Sequence, residues 1–206
     1  MTSPPDKPPD TVFCMTCGPD TAMTAQPPAG RLCCPVCGEQ RPLAALPLFV
    51  VTGASGSGKS EMTGHLRGLL PGVLVFEIDL ILHVAALGPD QLPNTWLQLA
   101  HEAGLNGYPV VLTGSLMPEH IERQPARVLA GPVHFAVLDC PDDVRAARLR
   151  ARPAWRGTHT EAAIDEHRRF AAWLRANISP CFDTSAATPA EVAARVAEWV
   201  TAELDQ

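Results

Sequence analysis

Leu48-Phe-Val-Val-Thr52-Gly53-Ala-Ser-Gly-Ser-Gly58-Lys59-Ser60 is the stretch of sequence that decides the fold of this chain. Its first five residues are apolar or β-branched, which is typical of a buried strand. Behind it, Met62, Leu66 and Leu69 follow at the spacing of a helix. A glycine-rich turn of the form G-x-x-x-x-G-K-S between a strand and a helix predicts a phosphate-binding loop, or P-loop.

Each residue type in this loop has a chemical reason. The loop consists of Gly53, Ala54, Ser55, Gly56, Ser57, Gly58, Lys59 and Ser60, after which Glu61 continues the helix. Glycines let the backbone wrap so that successive N–H groups point at phosphate oxygens, and the helix N-terminus adds its positive end. We expect Lys59 to reach the β- and γ-phosphates and Ser60 to offer its hydroxyl to Mg²⁺. The alternative, a Gly/Ser-rich turn with a chance lysine, does not require the flanking strand and helix. The sequence therefore predicts a domain that binds a nucleoside triphosphate.

Composition sets the limits around this motif. The chain has 206 residues, of which 46% are hydrophobic and 18% charged, so it can bury a core and wholesale disorder is excluded. Its net charge of −6 argues against a protein whose whole surface binds nucleic acid. The chain contains no apolar run of the ~18 residues that a membrane span needs, and its start is polar. We expect a cytoplasmic protein with no membrane association.

The residue composition divides the chain in two. Ten of the 21 prolines lie in residues 1–47, and five of the seven cysteines lie between Cys14 and Cys37. We predict a disordered tail over residues 1–12, a cysteine-rich module over 13–40, a linker over 41–47 and a globular domain over 48–206. The globular domain then has an ordinary size for one core.

The cysteine module carries two C-x-x-C pairs, Cys14-Met-Thr-Cys17-Gly and Cys34-Pro-Val-Cys37-Gly. A reducing cytosol discourages disulfides, and this doubled spacing is typical of a Zn²⁺ site. Each pair can point two thiolates at one place, so the four cysteines predict a closed, tetrahedral and structural zinc site. Cys33 is left over. A redox C-x-x-C and a chance cluster are the alternatives. The arrangement resembles a zinc ribbon.

The charges of this module favour a scaffold or protein contact over a phosphate-binding surface. Residues 1–46 carry three basic and four acidic groups, whereas nucleic-acid binding needs an excess of Lys and Arg. A protein partner that binds through the ribbon is one expectation.

The rest of the chain alternates strand and helix patterns. Strands are predicted at 73–76, 109–113, 133–138 and 181–182. Two helices are predicted first, one from an N-cap at Asn94 to Ala103 and one over 142–152. A third begins at a Thr158–Glu161 capping box and runs to about 176, and the last begins at a Thr188–Glu191 capping box. The apolar face of the last helix consists of Val192, Val196, Trp199 and Val200. Such alternation predicts an α/β fold of three layers with a five-stranded parallel sheet, the fold of P-loop proteins.

Three further stretches narrow the class: Asp79 just after the second strand, the arginine-rich run at 141–152, and residues 183–189. The N-K-x-D of GTPases and the L-S-G-G-Q of transporter ATPases are missing from the sequence. Residues 48–203 resemble the small P-loop kinases, namely nucleoside and nucleoside-monophosphate kinases, with shikimate and gluconate kinases as cousins. This resemblance implies ATP- and Mg²⁺-dependent phosphoryl transfer to a small metabolite, with a nucleoside or nucleotide as the first expectation.

Arginines in the run at 141–152 have a chemical use in such a kinase. Arg145, Arg148 and Arg152 follow i, i+3, i+7 spacing and are expected to share one helix face, where guanidinium groups can stabilise phosphoryl oxygens. The resemblance implies that Arg148 stacks on adenine, that Arg152 begins a lid, and that residues 185–189 form the adenine-side loop. The alternative is a solvated basic helix face.

Asp79 is the predicted carboxylate at the acceptor hydroxyl, where it can orient the hydroxyl and take its proton. The alternative is an aspartate that only caps a turn. The third strand ends in Thr113-Gly-Ser115 without an acid, so Mg²⁺ is expected to depend on Ser60, water and Asp79. By the resemblance, Ser115 and Arg123 line the acceptor pocket.

Two other functions stay open at this stage. One is a polynucleotide 5′-hydroxyl kinase, whose ribbon presents a nucleic-acid end to the same site. The other is a non-enzymatic ATP-binding adaptor whose ribbon binds a protein. The seven histidines are scattered without metal-ligand spacing and are interpreted as ordinary, and Cys140 and Cys181 as buried small hydrophobic residues.

Overall fold

The computed structural model describes residues 12–26, 30–44, 46–82 and 91–205. The predicted tail over residues 1–12 lies outside the described residues except for Val12, and so does His83. Among the described residues, no helix is both long and apolar enough to cross a bilayer.

The N-terminal module is built from five short antiparallel strands. Strand β1 (Phe13–Cys14) pairs with β2 (Gly18–Ala22). Strands β3 (Thr24–Gln26), β4 (Arg31–Cys33) and β5 (Gln40–Pro42) form a three-stranded sheet in that order. The antiparallel sheet therefore extends into the first two residues of the predicted linker.

Each C-x-x-C pair closes on a glycine, as the sequence predicts. Gly18 and Gly38 follow the second cysteine of each pair and have φ of 94° and 76°. Residues other than glycine rarely adopt this left-handed region, so these two positions allow the tight turns that bring both cysteine pairs together.

Five parallel strands form the central sheet. They are β6 (Leu48–Thr52), β7 (Leu74–Glu77), β8 (Val110–Thr113), β9 (Val133–Asp139) and β10 (Cys181–Asp183). Their order is β10-β9-β6-β8-β7, and every neighbouring pair is parallel. The predicted α/β fold with a five-stranded parallel sheet is confirmed.

Helices cover both faces of this sheet. They are α1 (Lys59–Leu66), α2 (Leu92–Leu105), α3 (Pro118–Glu122), α4 (Asp142–Arg150), α5 (Glu161–Asn177) and α6 (Pro189–Leu204). Short 3₁₀ turns occupy Ile78–Ile81, Pro125–Leu129 and Ala154–Arg156. Along β6, Leu48 and Val50 share a core with α2 and α3, while Phe49 and Val51 share a second core with α1 and α6. This two-sided burial explains why the strand reads as a continuous apolar run.

Several predicted helix boundaries are wrong for tertiary reasons. Asn94 is not an N-cap: it lies inside α2, is buried, and its side-chain oxygen accepts the N–H of Ala126 at 2.9 Å. The N-cap of α5 is Thr160, which accepts the N–H of Ala163 at 3.2 Å, so Thr158 starts no capping box. Helix α4 ends at Arg150, which leaves Arg152 outside it.

The last helix follows its sequence signals. Thr188 and Glu191 form the reciprocal capping box, and Pro189 is the first helical residue. Its predicted apolar face is confirmed, since Val192, Val196 and Val200 are buried in the core against β6.

Candidate active site and cysteine cluster

The glycine-rich loop lies at the carboxyl end of β6, the central strand, where the strand order continues through β8 on one side and through β9 on the other. Open parallel sheets bind ligands at such a switch point. Gly56 and Gly58 have φ of 83° and 88°, which the loop's shape requires. At Gly53 a Cβ would lie 2.6 Å from the Leu138 carbonyl oxygen, so only glycine lets the loop pass this close to β9.

Lys59, the first residue of α1, closes the loop on itself. Its ammonium donates to the carbonyl oxygens of Gly53 at 2.6 Å and Ala54 at 3.0 Å. Burial and the nearby guanidinium groups of Arg152 and Arg145 lower the pKa of Lys59 to about 8. An ammonium held with so little compensating negative charge is a ready partner for an anion, and a bound anion would raise this pKa.

Ser60 faces a carboxylate that the sequence analysis did not single out. Its hydroxyl donates to Glu77 Oε2 at 3.0 Å, and Glu77 is the last residue of the neighbouring edge strand β7. The predicted Mg²⁺ site of Ser60, water and Asp79 did not include Glu77, the acid that contacts Ser60. The signal was Glu77-Ile-Asp79, two acids that alternate at a strand end.

Asp79 lies two residues further, in the 3₁₀ turn Ile78–Ile81, and is exposed. Its negative charge acts to raise the pKa of Lys59, as does that of Glu77. The turn is held by the Leu82 N–H, which donates to the Asp79 carbonyl oxygen at 3.1 Å. The predicted aspartate thus lies two residues beyond the strand end that contacts Ser60.

Arg145 does not lie on a solvated or mobile face, contrary to both sequence interpretations. Its side chain is fully buried, is ion-paired with Asp139, and donates to the carbonyl oxygens of Ser55 at 3.3 Å and Cys140 at 3.1 Å. Arg145 thus connects α4 and Asp139 to the P-loop through Ser55. Arg175 is ion-paired with the other oxygen of Asp139 at 2.7 Å.

Arg148 lies one turn further along α4 and joins the P-loop to the segment after β10. Its guanidinium donates to the carbonyl oxygen of Gly56 at 3.1 Å and to the hydroxyl and carbonyl oxygens of Thr184 at 3.0 and 2.9 Å. It also borders a cleft that Gly58, Met62, Thr184, Ala187, Pro189 and Val192 line. The predicted adenine-side elements, Arg148 and residues 185–189, therefore meet at one cleft beside the loop.

Arg152 and His167 lie near Lys59 on the α4–α5 side of the site. Arg152 follows α4, and burial lowers its pKa. His167 lies on α5, where burial lowers its pKa and the charges of Lys59, Arg145 and Arg152 act in the same direction. From the sequence, His167 is one of seven scattered histidines without an assigned role, because no local pattern shows which face of α5 points at the loop.

The two residues predicted for the acceptor pocket differ in position. The Ser115 hydroxyl donates to the Gly53 carbonyl oxygen at 3.0 Å, which places it against the start of the P-loop. Arg123 follows the end of α3 and is exposed.

The four predicted zinc ligands converge in the N-terminal module. The Sγ atoms of Cys14, Cys17, Cys34 and Cys37 all lie within 4.8 Å of one another. Two of these separations are 3.5 Å, for Cys14 and Cys37, and 3.8 Å, for Cys34 and Cys17. A tetrahedral Zn²⁺ with Zn–S bonds of about 2.3 Å needs sulfur atoms about 3.8 Å apart, so the cluster fits this ion.

Backbone groups prepare two of these sulfurs for a metal. The N–H of Cys17 points at the sulfur of Cys14 at 3.3 Å, and those of Val36 and Cys37 point at Cys34 at 3.4 and 3.5 Å. Their bonds lower the pKa of Cys34 to about 6, while a hydrogen bond from Cys14 to Glu39 at 2.9 Å raises the pKa of Cys14 to about 12. Neither Cys33 nor the two later cysteines belong to the cluster, and Cys181 is exposed, not buried as expected.

Comparison with known proteins gives a fold and no family. No family model matches the chain, and no curated protein matches it. Among solved structures, the tunicamycin resistance protein of Deinococcus radiodurans is 22% identical with a TM-score of 0.56, covering 75% of this chain and 95% of its own. A sugar kinase from Janibacter sp. HTCC2649 is 20% identical with a TM-score of 0.50, covering 78% of this chain and 97% of its own. At these identities the likeness shows that the chain shares the α/β fold of these proteins.

Proposed function

We propose that this protein transfers the γ-phosphoryl group of ATP, bound with Mg²⁺, to a hydroxyl group of a small metabolite. The observation that carries the proposal is the contact of the P-loop with the edge strand: Ser60 is hydrogen-bonded to Glu77, and Asp79 follows two residues later in the adjoining 3₁₀ turn. A phosphate-binding loop next to two acids offers places for a triphosphate, a cation and an acceptor hydroxyl. The fold shared with a sugar kinase supports the same reaction class.

The nucleotide would be held at both of its ends. The loop amides and the N-terminus of α1 receive the phosphates, and Lys59 moves from the carbonyl oxygens of Gly53 and Ala54 to the β- and γ-phosphate oxygens. The cleft between Arg148 and residues 185–189 receives the adenine, whose ring the guanidinium can cover. Arg152 and His167 approach the transferred group from the α4–α5 side.

Ser60 and Glu77 fit the cation. Both offer oxygen, the ligand atom that Mg²⁺ prefers, and their oxygens are 3.0 Å apart. Neighbouring ligands of an octahedral Mg²⁺ with bonds of about 2.1 Å are separated by about 2.9 Å. When bound, Mg²⁺ neutralises charge on the β- and γ-phosphate oxygens. Glu77 thus takes the metal-side role, which leaves Asp79 free for the acceptor.

Asp79 would orient the acceptor hydroxyl and accept its proton as the new P–O bond forms. Its exposed position on the 3₁₀ turn suits contact with a diffusible substrate. The Ser115 hydroxyl donates to the Gly53 carbonyl oxygen, which also accepts from Lys59, so a role at the acceptor is proposed for it as well. Among small metabolites we place a nucleoside or nucleotide first.

The N-terminal cluster would hold one structural Zn²⁺ through Cys14, Cys17, Cys34 and Cys37. Four sulfur ligands leave no open coordination position, so the metal would stabilise the module and take no part in the transfer.

The reaction class is tested by coupled ADP release with MgATP against nucleosides, nucleoside monophosphates, sugars, shikimate and 5′-hydroxyl oligonucleotides. We expect one small-molecule acceptor to raise the rate at least about tenfold above the acceptor-free rate, since positioned transfer exceeds hydrolysis. A response to oligonucleotides alone would make the protein a polynucleotide kinase. A flat panel with confirmed ATP binding would contradict a kinase and favour an adaptor.

The variant Asp79→Asn tests the acceptor-side role. We expect it to lower kcat about 10²- to 10⁴-fold, because the amide cannot take the proton, while the affinity for MgATP stays within about twofold. The measurements are kcat with the acceptor from the panel and calorimetric ATP binding. Asp143→Asn, at an exposed acid in the first turn of α4, is the matched control. Full transfer activity in Asp79→Asn would refute the assignment of the base.

A further inference from the structure

The cysteine module packs against the P-loop domain. Its buried residues Met23 and Leu32, together with Leu43 of the segment that follows it, belong to the same hydrophobic core as Trp96 and Leu97 of α2. We infer that the module, with its metal bound, acts as a brace: it holds the acceptor side of the active site, and Asp79 in particular, in position. Trp96 is the positioning residue that links the module to Asp79. The inference rests on the proposed function for the Zn²⁺ and for the role of Asp79.

The first step leads from the metal to the module. Its five strands have only two to five residues each, and it has too few residues to bury a core large enough to fold alone. Small domains of this kind fold when the metal binds, because the binding free energy is also folding free energy. Cys14 and Cys34 are themselves buried, so metal ligation fixes residues of the same core that contains Trp96 and Leu97.

The second step leads from the module to α2. The chain after β5 passes directly over this helix: a Cβ at Gly104 would lie 3.0 Å from the Cβ of Ala44. Leu43 is buried in the shared core, and its N–H donates to the Gly30 carbonyl oxygen at 2.9 Å, which ties this segment back to the module. Loss of the folded module would therefore free this segment and remove its cover from the C-terminal end of α2.

The third step leads from α2 to Asp79. The indole N–H of Trp96 donates to the carbonyl oxygen of Ile78 at 3.2 Å, and the ring packs on Phe76 with centroids 5.5 Å apart. Ile78 is the residue before Asp79, and it packs so closely on Gly114 that a Cβ there would lie 2.2 Å from Ile78 Cγ1. Trp96 thus fixes the start of the 3₁₀ turn that carries the aspartate.

The nucleotide side of the protein does not share the hydrophobic core that connects the module to Asp79. Helices α1 and α6 pack on the opposite face of the sheet, in a core that contains no residue from the described part of the module. The P-loop is supported there and by Arg145. Loss of the metal should therefore loosen the acceptor side and leave ATP binding in place.

The experiment compares the full chain loaded with Zn²⁺ with the double variant Cys34→Ser and Cys37→Ser, by metal analysis and hydrogen exchange with mass spectrometry. Cys33→Ser is the matched control, because Cys33 is adjacent in sequence and outside the cluster. We expect the double variant to lose the metal and to exchange at least about tenfold faster over Ile78–Leu82 and Leu92–Leu105. Exchange over Pro189–Leu204 and the affinity for MgATP should stay within about twofold. Removing the metal from the unmodified chain with a chelator should give the same pattern.

Each other outcome has a definite meaning. Metal loss without faster exchange over Ile78–Leu82 would refute the brace and leave the zinc site standing. Equal acceleration over Pro189–Leu204 would also refute it, because the module would then stabilise the whole chain. A wild-type chain without metal, or metal loss in Cys33→Ser, would overturn the inference at its first step, by refuting the proposed zinc site itself.

Trp96→Phe isolates the last step, because it keeps an aromatic ring and removes the N–H. We expect exchange of the Leu82 amide, measured by NMR, to rise about five- to tenfold, as one buried hydrogen bond is lost. Metal content should not change, and the KM for the acceptor from the panel should rise while the KM for ATP does not. Trp199→Phe is the matched control, since Trp199 packs on Phe49 in the other core. The same Leu82 exchange in both variants would show that Trp96 has no positioning role.

Discussion

The Lys59→Ala variant is expected to lose phosphoryl transfer by about 10³-fold or more and to bind MgATP more weakly. Lys59 is the ammonium of the P-loop, held within the loop by the carbonyl oxygens of Gly53 and Ala54. Removing one preorganised donor to a developing negative charge commonly lowers kcat 10²- to 10³-fold, and a full positive charge contributes more than a neutral donor. Alanine also leaves those two carbonyl oxygens without their partner, so the empty loop should become more mobile.

The measurement is coupled ADP release with the acceptor found by the panel, together with calorimetric binding of MgATP. Lys59→Met is the second variant, because it keeps most of the side-chain volume and removes only the charge. Arg168→Ala, at an exposed ion pair on α5, controls for the general loss of a positive charge. If Lys59→Ala retained transfer within about tenfold of wild type, the loop would not be the site of phosphoryl transfer.

The central fold could be predicted from sequence because its signals are local. The P-loop consists of contiguous residues, and its flanking strand and helix differ in hydrophobic periodicity. The cysteine cluster was predictable for the same reason: two short C-x-x-C turns fix their own geometry, and only their meeting requires the fold. Gly18 and Gly38 adopt the positive φ that their positions in these turns predict.

The sequence predictions were wrong or incomplete where the role of a residue depends on its burial and on which neighbours its side chain reaches in the fold. Arg145 and Arg148 have helical spacing and the same chemistry, yet Arg145 is buried against Asp139 and Arg148 reaches Thr184. Spacing places two residues on one face and says nothing about which of them meets an acid on a neighbouring strand. Glu77 was missed because its neighbour Ser60 is 17 residues away, and only the pairing of β7 with β8 brings this strand end to the loop.

The Arg145→Ala variant should destabilise the P-loop domain by about 3–5 kcal/mol. The arginine is fully buried, and its removal leaves one oxygen of Asp139 without its partner in a dry environment. Removal of one partner from a buried ion pair is costly because the remaining charge is uncompensated, and Arg175 already holds the other oxygen. The Ser55 carbonyl oxygen also loses a donor, so the first half of the P-loop should become disordered together with the fold.

Arg150 offers the matched control within the same helix. It makes two good hydrogen bonds to Glu161 at 2.8 and 2.9 Å, but both side chains are exposed, so Arg150→Ala should cost only about 0–1 kcal/mol. Urea denaturation of both variants measures the difference. A double-mutant cycle with Asp139→Asn should give a double variant less destabilised than the sum of the single changes, because the two groups compensate each other. If Arg145→Ala cost no more than Arg150→Ala, the buried pair would contribute nothing to the stability of the loop, and the solvated helix face considered from the sequence would describe Arg145 better.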